Sequence, residues 1–81
     1  SMEADKETDS GYEKTYRQNG RLVHEEWDRS SQHGKYAVVL GDRFVAEISG
    51  RAESMDALKA ALSSIDLAAI ESLKNEGRKS E

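Results

Sequence analysis

Asn19-Gly20 is the feature that most narrows what this chain can become. A two-residue type I′ turn requires positive φ at both central positions, and Asn followed by Gly supplies it at the lowest cost. The flanking segments, YEKTYRQ and RLVHEEW, are rich in strand-forming residues. A turn of that length fixes the register: Gln18 faces Arg21, Tyr16 faces Val23, Lys14 faces Glu25 and Tyr12 faces Trp27. Because strand side chains alternate, one face carries Tyr12, Tyr16, Val23 and Trp27 with the Lys14/Glu25 pair between them. The other carries Glu13, Thr15, Arg17, Leu22, His24 and Glu26. The first face holds most of the apolar area, so it is the one expected to be buried.

A polar loop, residues 28–34 (DRSSQHG), separates this hairpin from KYAVVL, Gly41-Asp42 and RFVAEISG. The second pair of runs predicts another hairpin with a two-residue Gly-X turn. Leu40 then faces Arg43, Val39 faces Phe44, Val38 faces Val45 and Ala37 faces Ala46. In that register Ala37, Val39, Phe44, Ala46 and Ile48 share one face. Tyr36, Val38, Leu40 and Val45 share the opposite one, with Arg43 and Glu47 at its edge.

Beyond Gly50 the apolar period becomes helical. Ser54 is placed as an N-cap and Asp56 lies in the first turn, where the helix dipole favours an acid. Met55, Leu58, Ala61, Leu62 and Ile65 form a stripe. Ser63-Ser64 weakens the helix, Asp66 offers a second start, and Leu67, Ile70 and Leu73 continue in a shifted phase. Lys74 and Gly77 suit a helix end.

The expected fold is therefore α+β: a four-stranded antiparallel meander of two hairpins, followed by one bent or two short C-terminal helices packed on one sheet face. Residues 1–10 carry no periodic apolar pattern and are expected to be a disordered tail. Residues 11–77 form a single small domain, and 78–81 a frayed end.

Composition removes several function classes. The chain has 81 residues, 12 Lys plus Arg against 16 Asp plus Glu, and a formal net charge of -4. That balance argues against nucleic-acid partners, which need clustered cations. No apolar run approaches the 18 residues of a membrane-spanning helix. With no Cys and no Pro, thiolate metal sites, disulfide staples and polyproline ligands are excluded. The lack of Cys favours a cytoplasmic location. Ser1-Met2 reads as a vector remnant, so a periplasmic location is the alternative if a leader or lipid anchor has been removed.

The residues that carry chemistry elsewhere do not assemble into a motif. His24 and Glu26 point to the same side of one strand, which suits either an acid-base pair or half a metal site, but a solvated strand face suits them better. His33 sits in the polar loop and is expected to be exposed. Glu25 and Glu26 are adjacent on a strand and face opposite ways. DRSSQHG holds Ser, His and Asp within one loop, whereas triads are assembled by a fold. The glycines punctuate strands and turns rather than cradle phosphate. No catalytic residue, cofactor or metal is therefore expected. Tyr36, Val38, Leu40, Arg43, Val45 and Glu47 are the candidate interface, for a second copy or another protein. The expected function is a small non-catalytic interaction module that self-associates through its second hairpin. The alternative is a small-ligand or regulatory domain holding its ligand between sheet and helix.

Overall fold

The computed structural model of the chain describes residues 4–41, 43–68 and 71. It is α+β, a five-stranded antiparallel sheet with one short helix. The strands are β1 (Ala4–Thr8), β2 (Gly11–Gln18), β3 (Arg21–Asp28), β4 (His33–Leu40) and β5 (Phe44–Arg51), and the helix is α1 (Met55–Ser63). The sheet order follows the chain, β1-β2-β3-β4-β5. Every connection is thus a hairpin between neighbours, the simplest antiparallel solution.

The first hairpin has the register its turn dictates: Gln18 pairs with Arg21, Tyr16 with Val23, Lys14 with Glu25 and Tyr12 with Trp27. Asn19 has φ 54° and Gly20 φ 77°, as a type I′ turn requires.

Three expectations are corrected. The sheet has five strands rather than four, because residues 4–8 of the supposed tail pair with β2. The strand joins the sheet through its backbone ladder with β2, and its charges suit that register. Asp5 lies opposite Lys14 and Lys6 opposite Glu13, two opposite-sign cross-strand pairs. The Arg29 guanidinium adds a clamp, donating to the Thr8 carbonyl at 2.9 Å and to Glu7 Oε2 at 3.0 Å.

The second correction is a register shift of one residue. Leu40 pairs with Phe44, Val39 with Val45, Val38 with Ala46 and Ala37 with Glu47. The loop holds three residues, 41–43, rather than two. Gly41 takes φ 62°, and the Arg43 amide donates to the Leu40 carbonyl at 3.3 Å. A one-residue slip moves every side chain of a strand to the other face of its partner's pattern. Tyr36, Val38 and Leu40 now share a face with Phe44, Ala46 and Ile48, and this apolar side continues the aromatic face of the first hairpin. Val39 and Val45 lie together on the opposite side.

The polar loop is also shorter than expected, because His33 and Gly34 begin β4. Asp28 Oδ1 accepts from the Ser30 amide at 2.9 Å and the Ser30 hydroxyl at 2.7 Å. This side-chain turn draws the chain round.

The helix starts at the expected cap. Ser54 accepts the Ala57 amide at 3.3 Å through its hydroxyl. Met55, Leu58 and Leu62 are the buried helical residues. They pack over β4 and β5, where Val23, Val38, Leu40 and Leu62 form the core, with Tyr16, Tyr36, Phe44, Ala46, Ile48 and Leu67 against it. Ser63 and Ser64 turn their hydroxyls back onto the carbonyls of Ala60 and Ala61, each at 2.8 Å. The helix stops there, and Ile65 lies exposed beyond its end. Leu67, Ala68 and Glu71 are again helical. Ile70, Leu73, Lys74 and Gly77 lie outside the described residues. No helix among the described residues is long and apolar enough to cross a membrane.

Candidate functional site

The sheet divides the chemistry of the chain between two faces. On the inner face, at the centre of β3, Glu25 is only 1% exposed. Its carboxylate accepts from the Tyr12 hydroxyl at 2.9 Å and from the Tyr16 hydroxyl at a very short contact. Lys59 reaches down from α1 to within 3.0 Å of it. The Lys59 ammonium also lies over the Tyr36 ring, and that of Lys14 over the rings of Tyr12 and Tyr16. Burial alone would raise the Glu25 pKa. The hydrogen bonds from Tyr16, Lys59 and Tyr12, with the charge of Lys59, outweigh it and hold the carboxyl below its ordinary value. Burial and these same bonds push the Tyr12 hydroxyl up to about 12, and raise that of Tyr16 as well. The cluster therefore holds an ionised carboxylate between two neutral phenols and an ammonium. It fixes α1 against the sheet.

The six candidate interface residues divide between the two faces. Tyr36, Val38 and Leu40 point inward; Val38 and Leu40 belong to the core, with Tyr36 packed against it. α1 covers this side, so these three residues of the candidate interface pack within the chain. Arg43, Val45 and Glu47 are exposed. Val45 is 61% exposed, and Val39 lies directly across from it. Leu22 and Val39 lie one step beyond the Val23–Val38 pair that ends the β3–β4 ladder and line one cavity, and Ala37 is two residues before Val39 on β4. These four make an apolar strip on the outer face of the sheet, the side away from α1. Glu47 faces Ala37 at its border. The space between sheet and helix, where a ligand was the alternative expectation, is occupied by Met55, Leu58 and Leu62. Gly34 brings the two layers into contact, since a β-carbon there would lie 2.6 Å from the Trp27 ring and 2.9 Å from Leu58.

The outer face of the first hairpin is polar, as its register implies. His24 Nε2 lies 2.7 Å from Glu26 Oε2 and 3.6 Å from Glu13 Oε2. Its Nδ1 is hydrogen-bonded to the Thr15 hydroxyl at 2.8 Å. Lys35 Nζ stands 3.6 Å from the same Glu26 oxygen. The bond from His24 holds the Glu26 carboxyl below its ordinary value, and Lys35 adds to it. The sequence places Glu13, Thr15, His24 and Glu26 on one face. What it does not convey is that the imidazole turns toward both acids at once. His33 is exposed at the start of β4, opposite Asp28 and Arg51.

No family model matches this sequence, and no curated protein or solved structure is significantly similar to it.

Proposed function

We propose that this chain is a small non-catalytic protein-interaction module that pairs with a second copy of itself through the outer face of its second hairpin. The observation that carries the reading is the strip formed by Leu22, Ala37, Val39 and Val45, with Val45 61% exposed. Contiguous apolar surface on a small domain marks an interaction site more often than scattered single residues do. Size supports the same reading. A domain this short buries only about 60% of its unfolded surface, and one without a disulfide gains from association. A two-fold axis through the strip makes the contact self-complementary, since each copy presents the same patch.

The non-catalytic part of the reading is supported by how the reactive side chains are used. Asp28 organises the β3–β4 turn through Ser30, and Glu25 anchors the helix. Both carboxylates serve the fold.

The test is sedimentation velocity on the wild type and on Val45→Glu. The wild type is expected near twice 9.0 kDa at micromolar concentrations. The variant is expected as a folded monomer, because two like charges would meet across the axis. A wild-type mass of 9.0 kDa throughout contradicts the proposal.

A further inference from the structure

We propose that Glu13, His24 and Glu26 form a binding site for one divalent transition-metal ion of the zinc class on the outer face of the first hairpin. The site adjoins the proposed strip, with His24 opposite Ala37, but all its donors come from one chain, so metal binding is read equally on the wild type and on the Val45→Glu monomer.

The geometry begins with the register. Glu13 and Glu26 are directly opposite in the β2–β3 ladder, and Thr15 and His24 form the next pair on the same face. Two carboxylates facing each other across a ladder repel, so a positive group between them is favoured. His24 Nε2 points into that space. The three donor atoms lie within 4.8 Å of one another. A tetrahedral zinc ion with bonds of about 2.0 to 2.2 Å sets its donors about 3.4 Å apart. The 3.6 Å Glu13–His24 separation already fits that spacing. The 2.7 Å Glu26–His24 contact opens by a fraction of an ångström, within the freedom of a half-exposed Glu side chain.

The second observation is Thr15. A metal-bound imidazole needs a free lone pair on one nitrogen and an acceptor for the proton on the other. The Thr15 hydroxyl, 2.8 Å from His24 Nδ1, is placed to accept the Nδ1 proton once a metal holds Nε2. Its hydrogen bond steadies the imidazole with Nε2 turned toward the two acids. Thr15 is therefore a positioning residue. On binding, Nε2 exchanges its hydrogen bond with Glu26 for the metal, Nδ1 carries the ring proton toward the Thr15 hydroxyl, and Lys35 gives up its contact with Glu26. An imidazole with two carboxylates selects zinc, nickel or copper over magnesium and calcium, which prefer all-oxygen shells. With three protein donors the ion retains an open position for water.

The test is calorimetric titration of the full chain with zinc, and visible absorption with cobalt as a spectroscopic substitute. One ion per chain is expected, with a four-coordinate cobalt spectrum. Glu13→Gln, His24→Ala and Glu26→Gln should each weaken binding more than tenfold, and Thr15→Val by about tenfold, the typical effect of losing an orienting partner. Lys35→Met should tighten it by removing the competing cation, and His33→Ala should leave it unchanged. All six side chains lie on the surface side of the sheet, so far-ultraviolet dichroism should stay constant across the set. No saturable zinc binding up to millimolar concentration overturns the proposal. So does binding that survives His24→Ala, falls equally with His33→Ala, or is matched by magnesium.

Discussion

At the scale of single residues, two positions show how closely the sheet and helix are fitted. Gly34 lies where β4 passes under the helix, and Trp27 and Leu58 fill the space a side chain would need. Gly34→Ala is expected to destabilise by about 1 to 3 kcal/mol, the usual cost of overfilling a packed site. Chemical denaturation measures it, and a variant as stable as the wild type would show that the Trp27 ring moves aside freely. Glu25 is the other position. A buried carboxylate is costly unless fully hydrogen-bonded, and here two phenols and an ammonium satisfy it. In the sequence Glu25 is simply the partner of Lys14 on an aromatic face. Its ladder position is correct, but the partners that stabilise it come from the same face of β2 and from α1. Such contacts depend on where the helix docks, which no local pattern states.

At the scale of elements, the contrast between the two hairpins explains what was readable. Asn19-Gly20 admits one short turn geometry, so every pairing of β2 with β3 follows from it. Gly20 has φ 77° and nothing within 4 Å of a β-carbon placed there. Gly20→Val should therefore cost about 1 to 3 kcal/mol through backbone strain alone, read as a lower midpoint in thermal unfolding. An unchanged midpoint would mean that the turn relaxes. Gly41-Asp42 is less restrictive, because Gly suits a two-residue and a three-residue loop equally. The deciding signal was distribution: only the three-residue loop gathers Tyr36, Val38, Leu40, Phe44, Ala46 and Ile48 on one face. Strand β1 was hidden for a different reason. ADKET has no apolar alternation, and the opposite-sign residues it faces on β2 become visible only once β2 is placed. The cap at Ser54 and the stripe of Met55, Leu58 and Leu62 were legible, since both are local.

At the scale of the whole molecule, the Glu25 cluster makes stability depend on pH in both directions. The Glu25 carboxyl is held below its ordinary value of 4.5, so the folded state favours the ionised form. That contribution is complete above pH 4.5 and is lost as pH falls through the lower folded value. The Tyr12 and Tyr16 hydroxyls are raised above 10.0, so the folded state favours the neutral phenol. This contribution is complete below pH 10 and is lost as pH rises toward about 12. The thermal midpoint should be level between about pH 5 and 10 and fall on both sides, with Tyr16→Phe flattening the alkaline fall. An alkaline fall as steep in that variant as in the wild type would place its origin elsewhere. The same fold leaves one sheet face covered by α1 and the other open, and it is the open side of the second hairpin that is proposed to meet a second copy. Val38→Glu, which buries a charge in the core, should unfold the chain, whereas Val45→Glu should only separate the copies. The most direct test is a dilution series of amide nitrogen–proton correlation spectra from millimolar to low micromolar concentration. The account predicts concentration-dependent shifts concentrated at Ala37, Val39, Val45 and Glu47, with Tyr36, Val38, Leu40 and Ile48 steady. Spectra that do not change with concentration, or shifts concentrated at the inward-facing residues, would contradict it.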